Sequence, residues 1–403
     1  MKEQTQDLVI IGGGIMGLCT AYAASHFTNN ITILEKSNIG NKTTASFGYT
    51  RSIRNDYLDP LYARLAYEAR RLWQALEDKA AEPLIIECGC LNIAKESITP
   101  DLAMTYAEQS YHALTSLHLK TEAFTRDSLR QRYPQFDVDM ARLDVEAGFL
   151  YLPAVTRTLL DVLQERQAHI VEDVEVTAIA RQTDTLLRVV TSRGEFLTRS
   201  LVVTAGFGTN DVLRCIDGCS LQFPLIPDRP SQCKYFIPPA EKRALFTAEA
   251  LPVFAYLDVG IYGHPIYAGK TPGVKIGFYN PPDMQRLSTH IQDVHSFVDE
   301  CMPALRDAEA IDVTDVDQCF YDLVPDDTFI LGGLPDFPHI FVGVGWRGTG
   351  YKYAPWVGQT LMQLALQEGT IYDIGRFSPQ RFVADVSSIA SKSEGWRARR
   401  SEQ

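Results

Sequence analysis

The stretch Asp7-Leu8-Val9-Ile10-Ile11-Gly12-Gly13-Gly14-Ile15-Met16-Gly17 decides the fold of this chain. Its first five residues are mostly apolar and β-branched and end at glycine, which predicts a buried strand. The glycines form a G-x-G-x-x-G pattern that runs into a helical pattern. A second short strand, Ile31-Thr32-Ile33-Leu34, then ends at Glu35. Strand, helix, strand and terminal acid together indicate a dinucleotide-binding βαβ unit.

Each part of this pattern has a physical role. Gly12 permits a tight turn, Gly14 lets the backbone approach a pyrophosphate, and Gly17 lets the helix lie close to the sheet. The helix N-terminus offers N–H groups and a positive dipole end to the phosphates. Glu35 would accept hydrogen bonds from the adenosine ribose, which favours a cofactor without a 2′-phosphate. The alternatives are a glycine-rich turn in an ordinary α/β protein and a signal peptide; residues 1–7 are not basic, which argues against the second.

Length and charge exclude several classes of protein. The 403 residues suit two domains. A formal net charge of -12 argues against nucleic acid as a partner, and the chain has no run of 18 apolar residues that would span a membrane. The eight cysteines form no paired C-x-x-C set, so no metal site is expected. Without a secretion signal, we expect free thiols and a cytoplasmic location.

The remaining pattern predicts an α/β fold made of two domains. Helices are expected from Pro60 to Glu77 and over 101–117, 154–166, 284–301 and 354–366. Strands are expected at 85–93, 171–180, 187–191, 196–198, 201–206, 234–237, 253–257, 261–265, 273–278, 308–322, 329–332 and 340–344. Residues 146–151 resemble a turn that leads into a short strand, whereas residues 41–59 read as irregular.

This order predicts a discontinuous cofactor domain of Rossmann type, with an antiparallel β-rich substrate domain inserted into it. The cofactor domain would take residues 1–82, 148–217 and 323–390, the substrate domain 83–147 and 218–322, and a tail 391–403. The second glycine motif, Gly343-Val344-Gly345-Trp346-Arg347-Gly348, is followed by a helix but by no strand that ends in an acid. It therefore predicts a glycine-rich loop that leads to a helix N-terminus, and no second dinucleotide fold.

With these residues in view, the chain resembles the sarcosine oxidase group of the D-amino-acid-oxidase-like flavoproteins, which includes monomeric sarcosine oxidase, N-methyltryptophan oxidase and L-pipecolate oxidase. The resemblance runs nearly from end to end. It depends on four separate blocks: residues 12–35, Thr50-Arg51-Ser52-Ile53-Arg54, Gly273-Val274-Lys275-Ile276-Gly277, and Cys319-Phe320-Tyr321 with Gly348-Thr349-Gly350-Tyr351-Lys352.

The resemblance implies FAD as the cofactor. Cys319 resembles the cysteine that forms a thioether to the flavin 8-methyl group, and a thiolate is the nucleophile that such a bond needs. Arg51 would lie against the flavin, where the reduced ring becomes anionic. The other implied cofactor contacts are Gly12, Gly14, Ile15, Met16, Gly17, Glu35, Lys36, Ser46, Gly48, Val176, Gly206, Gly348, Thr349, Gly350 and Lys352.

The resemblance also implies a substrate pocket. Arg54 and Lys352 resemble the cationic pair that holds a substrate carboxylate. Lys275 resembles the oxygen-activating lysine, whose ammonium stabilises the negative charge that forms on O2. The implied pocket walls and further substrate contacts are Tyr262, Tyr321, Tyr279 and Trp346.

Two departures bear on the substrate. Phe47 and Tyr279 stand where the sarcosine-type members have histidine, which argues against sarcosine itself. We therefore expect a monomeric oxidase that converts a secondary amino acid, N-methylated or cyclic, to an imine and reduces O2 to H2O2. One alternative is a dehydrogenase or a tailoring enzyme that aromatises a cyclic imine, and another is a flavin-holding subunit with no substrate of its own.

Overall fold

The computed structural model describes residues 5–228, 231–279, 290–312, 321–367 and 369–383. The α-helices in these ranges are α1 (Ile15–Ala24), α2 (Pro60–Glu77), α3 (Tyr106–Ser116), α4 (Arg126–Arg132), α5 (Leu152–Glu165), α6 (Thr209–Arg214), α7 (Val294–Cys301) and α8 (Ala354–Leu366). The strands are β1 (Gln6–Ile11), β2 (Ile31–Leu34), β3 (Thr50–Ile53), β4 (Ile85–Ile86), β5 (Cys90–Ala94), β6 (Thr121–Thr125), β7 (Met140–Asp144), β8 (Gly148–Tyr151), β9 (His169–Val171), β10 (Val176–Thr183), β11 (Leu186–Thr191), β12 (Gly194–Val203), β13 (Ile226–Asp228), β14 (Ser231–Ile237), β15 (Val253–Tyr256), β16 (Ile261–His264), β17 (Val274–Tyr279), β18 (Glu309–Asp312), β19 (Tyr321–Leu323), β20 (Ile330–Gly333) and β21 (Ile340–Val344).

The chain divides into two compact units. The first unit consists of Met1–Phe47, Val155–Asp228 and Cys319–Gln403, and the second of Gly48–Ala154 and Arg229–Gln318. The mixed α/β character confirms the predicted fold class. The assignment of cofactor and substrate domains to stretches of sequence stays a prediction.

The first unit is built on a parallel sheet in the order β21-β12-β1-β2-β9. Ile11, the last residue of β1, lies between Leu34 of β2 and Val203 of β12. The carboxyl ends of these three strands therefore meet at one edge of the sheet, where open α/β sheets bind ligands. The predicted strand–helix–strand unit is confirmed as β1, α1 and β2.

Strand β12 corrects one part of the sequence prediction. Its first half pairs antiparallel with β11, and its second half pairs parallel with β1 and β21. The stretches 196–198 and 201–206, expected as two strands, thus contribute to one long strand that ends at Val203. The stretch 171–180, expected as one strand, is divided between β9 and β10.

Helix α8 has the predicted bounds and lies against α1. A side chain at Gly358 of α8 would collide with the backbone of Cys19 on α1. The two helices can approach this closely because glycine has no Cβ.

The second unit contains an eight-stranded sheet in the order β18-β14-β17-β16-β15-β5-β7-β6, and a small sheet in the order β3-β8-β4. Every neighbouring pair is antiparallel except β15 with β5, which confirms the predicted antiparallel sheet. Residues 41–59 are not irregular throughout, because Thr50–Ile53 form β3.

Two element predictions in the second unit were too long, and a third lies partly outside the described residues. The expected strand at 85–93 is two strands, β4 and β5. The described part of the expected helix 284–301 is helical only from Val294, where Asp293 caps it by accepting a hydrogen bond from the Ser296 N–H. The expected strand 308–322 contains β18, β19 begins at its end, and residues 313–320 lie outside the described residues.

Helix α2 begins where the sequence predicts it. The Asp59 carboxylate accepts a hydrogen bond from the Leu61 N–H, and Pro60 occupies the first turn, where its missing N–H costs nothing. In the described ranges, no helix has the length and apolarity needed to cross a membrane.

Candidate functional site

The glycine loop after β1 has no space for a side chain at two positions. Gly12 has φ of +107°, and a Cβ there would lie 2.5 Å from the Thr204 carbonyl oxygen. A Cβ at Gly17 would collide with the Gly12 carbonyl oxygen. Both positions therefore require glycine, as the dinucleotide motif predicts.

Glu35 closes one side of this loop. One carboxylate oxygen accepts a hydrogen bond from the Gly13 N–H at 2.7 Å, and the other accepts one from the Ser37 N–H at 2.9 Å. A carboxylate can accept about four hydrogen bonds, so Glu35 keeps acceptor capacity for ribose hydroxyls while it fixes the loop.

The N-terminus of α1 opens into a small cleft. Gly14 at the N-cap provides no side-chain cap, and no acid lies in the first turn. The Ile15 N–H donates to Ser46 Oγ at 2.9 Å. The cleft is lined by Gly13, Gly14, Ile15, Leu18, Glu35, Asn38, Ile39, Gly40, Thr44, Ser46 and Thr156. A helix start whose N-cap residue has no side chain, bare glycines and an acid at the end of β2 fit the ADP part of FAD.

A second glycine loop in the first unit follows β21. Asp322 of β19 accepts hydrogen bonds from the Gly345 N–H at 2.9 Å and the Trp346 N–H at 3.1 Å. Burial raises the pKa of Asp322 to about 6, although these backbone N–H groups oppose the shift. Asp322 thus holds the start of the loop, a role that the sequence analysis missed.

The rest of this loop brings several predicted residues together. A Cβ at Gly348, where φ is +74°, would lie 2.6 Å from the Tyr321 ring. Lys352 is buried, and its ammonium donates to the Thr349 carbonyl oxygen at 2.9 Å. A Cβ at Gly350 would lie 3.1 Å from Met16 Cε, so this loop lies beside α1 in the same unit.

The eight-stranded sheet of the second unit has two different faces, because side chains alternate along each strand. One face is apolar and includes Leu91, Leu143, Phe254, Ile261, Ile276 and Phe278. The strand register places a polar set on the opposite face: Asp144, Cys90, Asn92, Tyr262, His264, Lys275, Tyr235 and Cys233. We call this side the polar face.

Lys275 lies in the middle of the polar face. It is 2% exposed, and its ammonium lies 5.8 Å from the centroid of the Tyr262 ring. The Tyr262 ring covers Gly277, where any side chain would collide with it. The Tyr262 hydroxyl also lies 3.0 Å from Cys233 Sγ. The structure therefore brings together two of the predicted site residues, Lys275 and Tyr262.

Arg54 lies in a buried polar cluster beside the polar face. Its Nη1 donates to the Asp56 carboxylate at 2.5 Å, and the Asp56 carboxylate also accepts from Asn92 Nδ2. The Tyr106 hydroxyl donates to the Asp56 carbonyl oxygen at 2.8 Å. Burial alone would lower the pKa of Arg54, but the attraction of Asp56 and its neighbours raises that pKa well above its ordinary value.

Asp144 is the second acid of this cluster. Its carboxylate accepts hydrogen bonds from the Asn55 N–H at 2.7 Å and from Asn55 Nδ2 at 3.4 Å. Burial, followed by repulsion from Asp56, raises the pKa of Asp144 to about 7. The sequence analysis did not identify this acid, because nothing near it in the chain marks its burial.

His264 is a further polar residue that the sequence analysis missed. Its Nε2 lies 2.9 Å from Ser52 Oγ and its Nδ1 lies 2.7 Å from Thr50 Oγ1. The one available signal was a single histidine at the end of an otherwise apolar strand.

The other predicted residues take separate positions. In the first unit, Lys36 is exposed and forms an ion pair with Glu175, Val176 begins β10, and Gly206 follows β12 with φ of +55°. In the second unit, Gly48 has φ of +144°, Arg51 Nη1 donates to its neighbour's carbonyl oxygen at 3.0 Å, and Tyr279 ends β17. Trp346 is buried against Phe329. Cys319 lies outside the described residues.

The described part of the chain contains no group of three His, Cys, Asp or Glu side chains that could hold a metal ion. Of its cysteines, Cys19, Cys88, Cys90, Cys215, Cys219 and Cys301 are free thiols.

Comparison with known proteins gives a consistent result. Residues 7–364 match the family model DAO, FAD dependent oxidoreductase. Human peroxisomal sarcosine oxidase is 28% identical over 400 residues, which cover 94% of this chain and 97% of that protein. N-methyl-L-tryptophan oxidase of Yersinia pestis is 24% identical over 390 residues, covering 93% and 99%. The crystal structure of L-proline dehydrogenase from P. horikoshii shares the fold, with a TM-score of 0.77, 19% identity and coverage of 94% and 98%.

Proposed function

Because the chain belongs to the DAO family of FAD-dependent oxidoreductases, we propose that it oxidises the C–N bond of a secondary amino acid, N-methylated or cyclic, to an imine. Bound FAD supplies the chemistry: it accepts a hydride equivalent from the substrate carbon and passes the electrons to O2, which yields H2O2. The names of the sarcosine and N-methyltryptophan oxidases support an N-alkyl amino acid as the substrate class.

The residues of the first unit that would hold FAD are those of the two glycine loops. Gly12, Gly14, Gly17, Glu35 and Ser46 would bind the ADP part, because they surround the start of α1. Gly348, Thr349 and Gly350 would bind the flavin end. We further propose that Cys319 forms a thioether to the flavin 8-methyl carbon. This bond would replace the thiol S–H and one methyl C–H, and the two electrons would pass into the flavin ring and from there to O2.

The observation that carries the proposal is the buried ammonium of Lys275 on the polar face. Lys275 is 2% exposed, and the strand register places it between Tyr235 and His264 on that face. At a site where O2 becomes negatively charged, the same fixed charge lowers the barrier to reduction.

Arg54 of the second unit would bind the substrate carboxylate, and the same role for Lys352 of the first unit stays a prediction from the sequence. The hydrogen bonds of Arg54 to Asp56 engage Nη1, whereas a guanidinium has five N–H donors. Arg54 can therefore bind a carboxylate while Asp56 fixes its orientation. Tyr262 and Tyr279 of the second unit would form walls for the rest of the substrate, and the same role for Tyr321 and Trp346 of the first unit stays a prediction from the sequence.

The proposal is tested with purified protein. We expect a yellow protein whose colour stays with the chain after acid precipitation, and peroxide formation with pipecolate, proline or N-methyl amino acids. A protein that retains no flavin at all contradicts the proposal. Flavin that is released by acid contradicts only the covalent link to Cys319.

Substitution of Lys275 separates an oxidase from a dehydrogenase or an aromatising tailoring enzyme. In Lys275→Met we expect the reduced protein to be reoxidised by O2 about 10²- to 10³-fold more slowly, the usual effect of removing one charge-stabilising group. Stopped-flow absorbance of the flavin measures this rate. The matched control is Lys270→Met, which removes an exposed lysine paired with Glu82. Equal rates in the two variants would favour the alternatives.

Two further proposals concern the state of the protein in the cell. We propose a monomer, measured by light scattering, and a cytoplasmic location, measured by fractionation. The human relative, in contrast, is named as peroxisomal.

A further inference from the structure

We propose that His264 is a positioning residue for the proposed amine oxidation: it fixes strand β3 and thereby sets the position of Arg54, which follows that strand and binds the substrate carboxylate. The inference rests on the proposed function, and the residues that it concerns all belong to the second unit.

His264 makes two hydrogen bonds to one strand. Its two ring nitrogens lie within hydrogen-bond distance of Thr50 Oγ1 and Ser52 Oγ. These residues are two apart on β3, so their side chains leave the same face of the strand. Arg51 lies between them in sequence and Arg54 comes directly after the strand ends at Ile53. One imidazole therefore contacts the side chains of β3 on both sides of Arg51 in sequence.

The His264 ring is itself held in place. It is 2% exposed and stacks on Phe149 of β8, with ring centroids 5.9 Å apart and an angle of 24° between the planes. Phe149 is also the strand partner of Ser52. The ring thus contacts both β3 and β8 and joins the small sheet to the polar face of the large sheet.

A histidine suits this position chemically. In either neutral tautomer one ring nitrogen donates and the other accepts, and a hydroxyl can take either complementary role. Both buried nitrogens are therefore satisfied. A phenylalanine would keep the stack on Phe149 but would leave the buried Thr50 hydroxyl without this partner.

Lys275 is held independently of β3. It is the strand partner of His264, and its own strand, β17, is hydrogen-bonded to β14 on one side and β16 on the other. The loss of hydrogen bonds from His264 to β3 should therefore affect Arg54 and leave Lys275 in place. This difference separates positioning of the substrate from the reaction with O2.

The test is the variant His264→Phe in the holoenzyme. We expect KM for the amino acid substrate to rise about tenfold, as for a lost buried hydrogen bond, while kcat and the rate of flavin reoxidation by O2 stay within about twofold. An unchanged KM, or slower reoxidation, would overturn the inference. Flavin content and circular dichroism confirm that the variant is folded.

The partners of His264 provide an independent test. The double variant Thr50→Val with Ser52→Ala removes both hydroxyls and should raise KM by a similar factor, whereas Thr50→Ser keeps the hydroxyl and should leave KM near the wild-type value. If His264 acts through these hydroxyls, then adding His264→Phe to the double variant should raise KM little further. If the two separate increases in KM multiply when all three substitutions are combined, His264 acts independently of these hydroxyls.

The failure of this inference is distinguishable from failure of the proposed function. A wild-type protein that binds FAD but oxidises no amino acid contradicts the function itself. A wild type that is active, with an unchanged KM in both His264→Phe and the double variant, contradicts only the role of His264.

Discussion

At the scale of single residues, Asp144 illustrates how burial changes the chemistry of a side chain. The carboxylate is 1% exposed and lies near a second buried acid, Asp56. Both effects disfavour its charged form. Since the pKa of Asp144 rises to about 7, the folded protein holds a proton here that an unfolded chain would release.

This proton predicts a dependence of stability on pH. A raised pKa in the folded state adds stability that is complete below the ordinary aspartate pKa of about 3.9, and that is lost as the pH rises through the folded pKa. Between these values the free energy of unfolding should fall by at most about 1.4 kcal/mol per pH unit.

The variant Asp144→Asn should remove this term. We expect its urea unfolding midpoint to depend less on pH between about pH 4 and pH 7 than that of the wild type. The control is Glu96→Gln, which neutralises an exposed acid and should keep the wild-type slope. If the urea unfolding midpoints of all three proteins change with pH in the same way, the role of Asp144 is contradicted.

At the scale of elements, the loop that follows β21 depends on one acid from a different strand. Asp322 accepts hydrogen bonds from two consecutive N–H groups of the loop, those of Gly345 and Trp346. The residues proposed to contact the flavin, Gly348 to Gly350, come directly after this anchor. The position of the loop should therefore depend on whether the Asp322 side chain can accept both of these hydrogen bonds.

The variant Asp322→Asn tests this anchor. An amide has only one acceptor oxygen, so one of the two N–H groups loses its partner, and a buried unsatisfied group costs about 1–3 kcal/mol. We expect a lower unfolding midpoint in urea and less bound flavin per chain. Asp336→Asn makes the same change at an exposed position of the same unit and should match the wild type.

Local elements were predictable from the sequence because their signals are local. The βαβ unit and α8 follow from glycine spacing and apolar periodicity within short windows. Strand β12 was divided wrongly because it changes partners midway, from β11 to β1 and β21. Strand pairing is a property of the folded sheet, and the sequence of β12 shows no signal at the residue where the partner strand changes.

The partners of the site residues were not predictable in this way. His264 lies 212 and 214 residues from its two hydroxyl partners, and Asp144 lies 89 residues from Asn55. No periodicity connects positions so far apart. The family was recognised from four sequence blocks, and the family match confirms it. The roles implied for Arg54, Lys275, Lys352 and Cys319 stay predictions.

At the scale of the whole molecule, each unit has a core of its own. Apolar residues of the parallel sheet, such as Val9, Leu201 and Val342, form one cluster, and the apolar face of the antiparallel sheet forms another. The cleft at the start of α1 belongs to the first unit. Cofactor binding should therefore stabilise that unit directly.

Protein produced without flavin should test this effect. We expect FAD at a hundredfold excess over its Kd to add about 2.7 kcal/mol to the free energy of unfolding. In hydrogen exchange, protection should increase over residues 12–18 and 345–350, while β5 and β15 in the second unit serve as the internal reference. Equal protection gains in β5 and β15 would contradict a binding site built from the first unit.

The alternation of side chains across the sheet of the second unit also has an evolutionary consequence. With the substrate on the polar face, as we propose, a mutation at Cys233, Tyr262 or Asn92 would alter what the protein recognises, yet it would leave the interior formed by Leu91, Phe254 and Ile276 filled. New substrate preferences can therefore arise at every second position of the same strands, without loss of the scaffold that supports them.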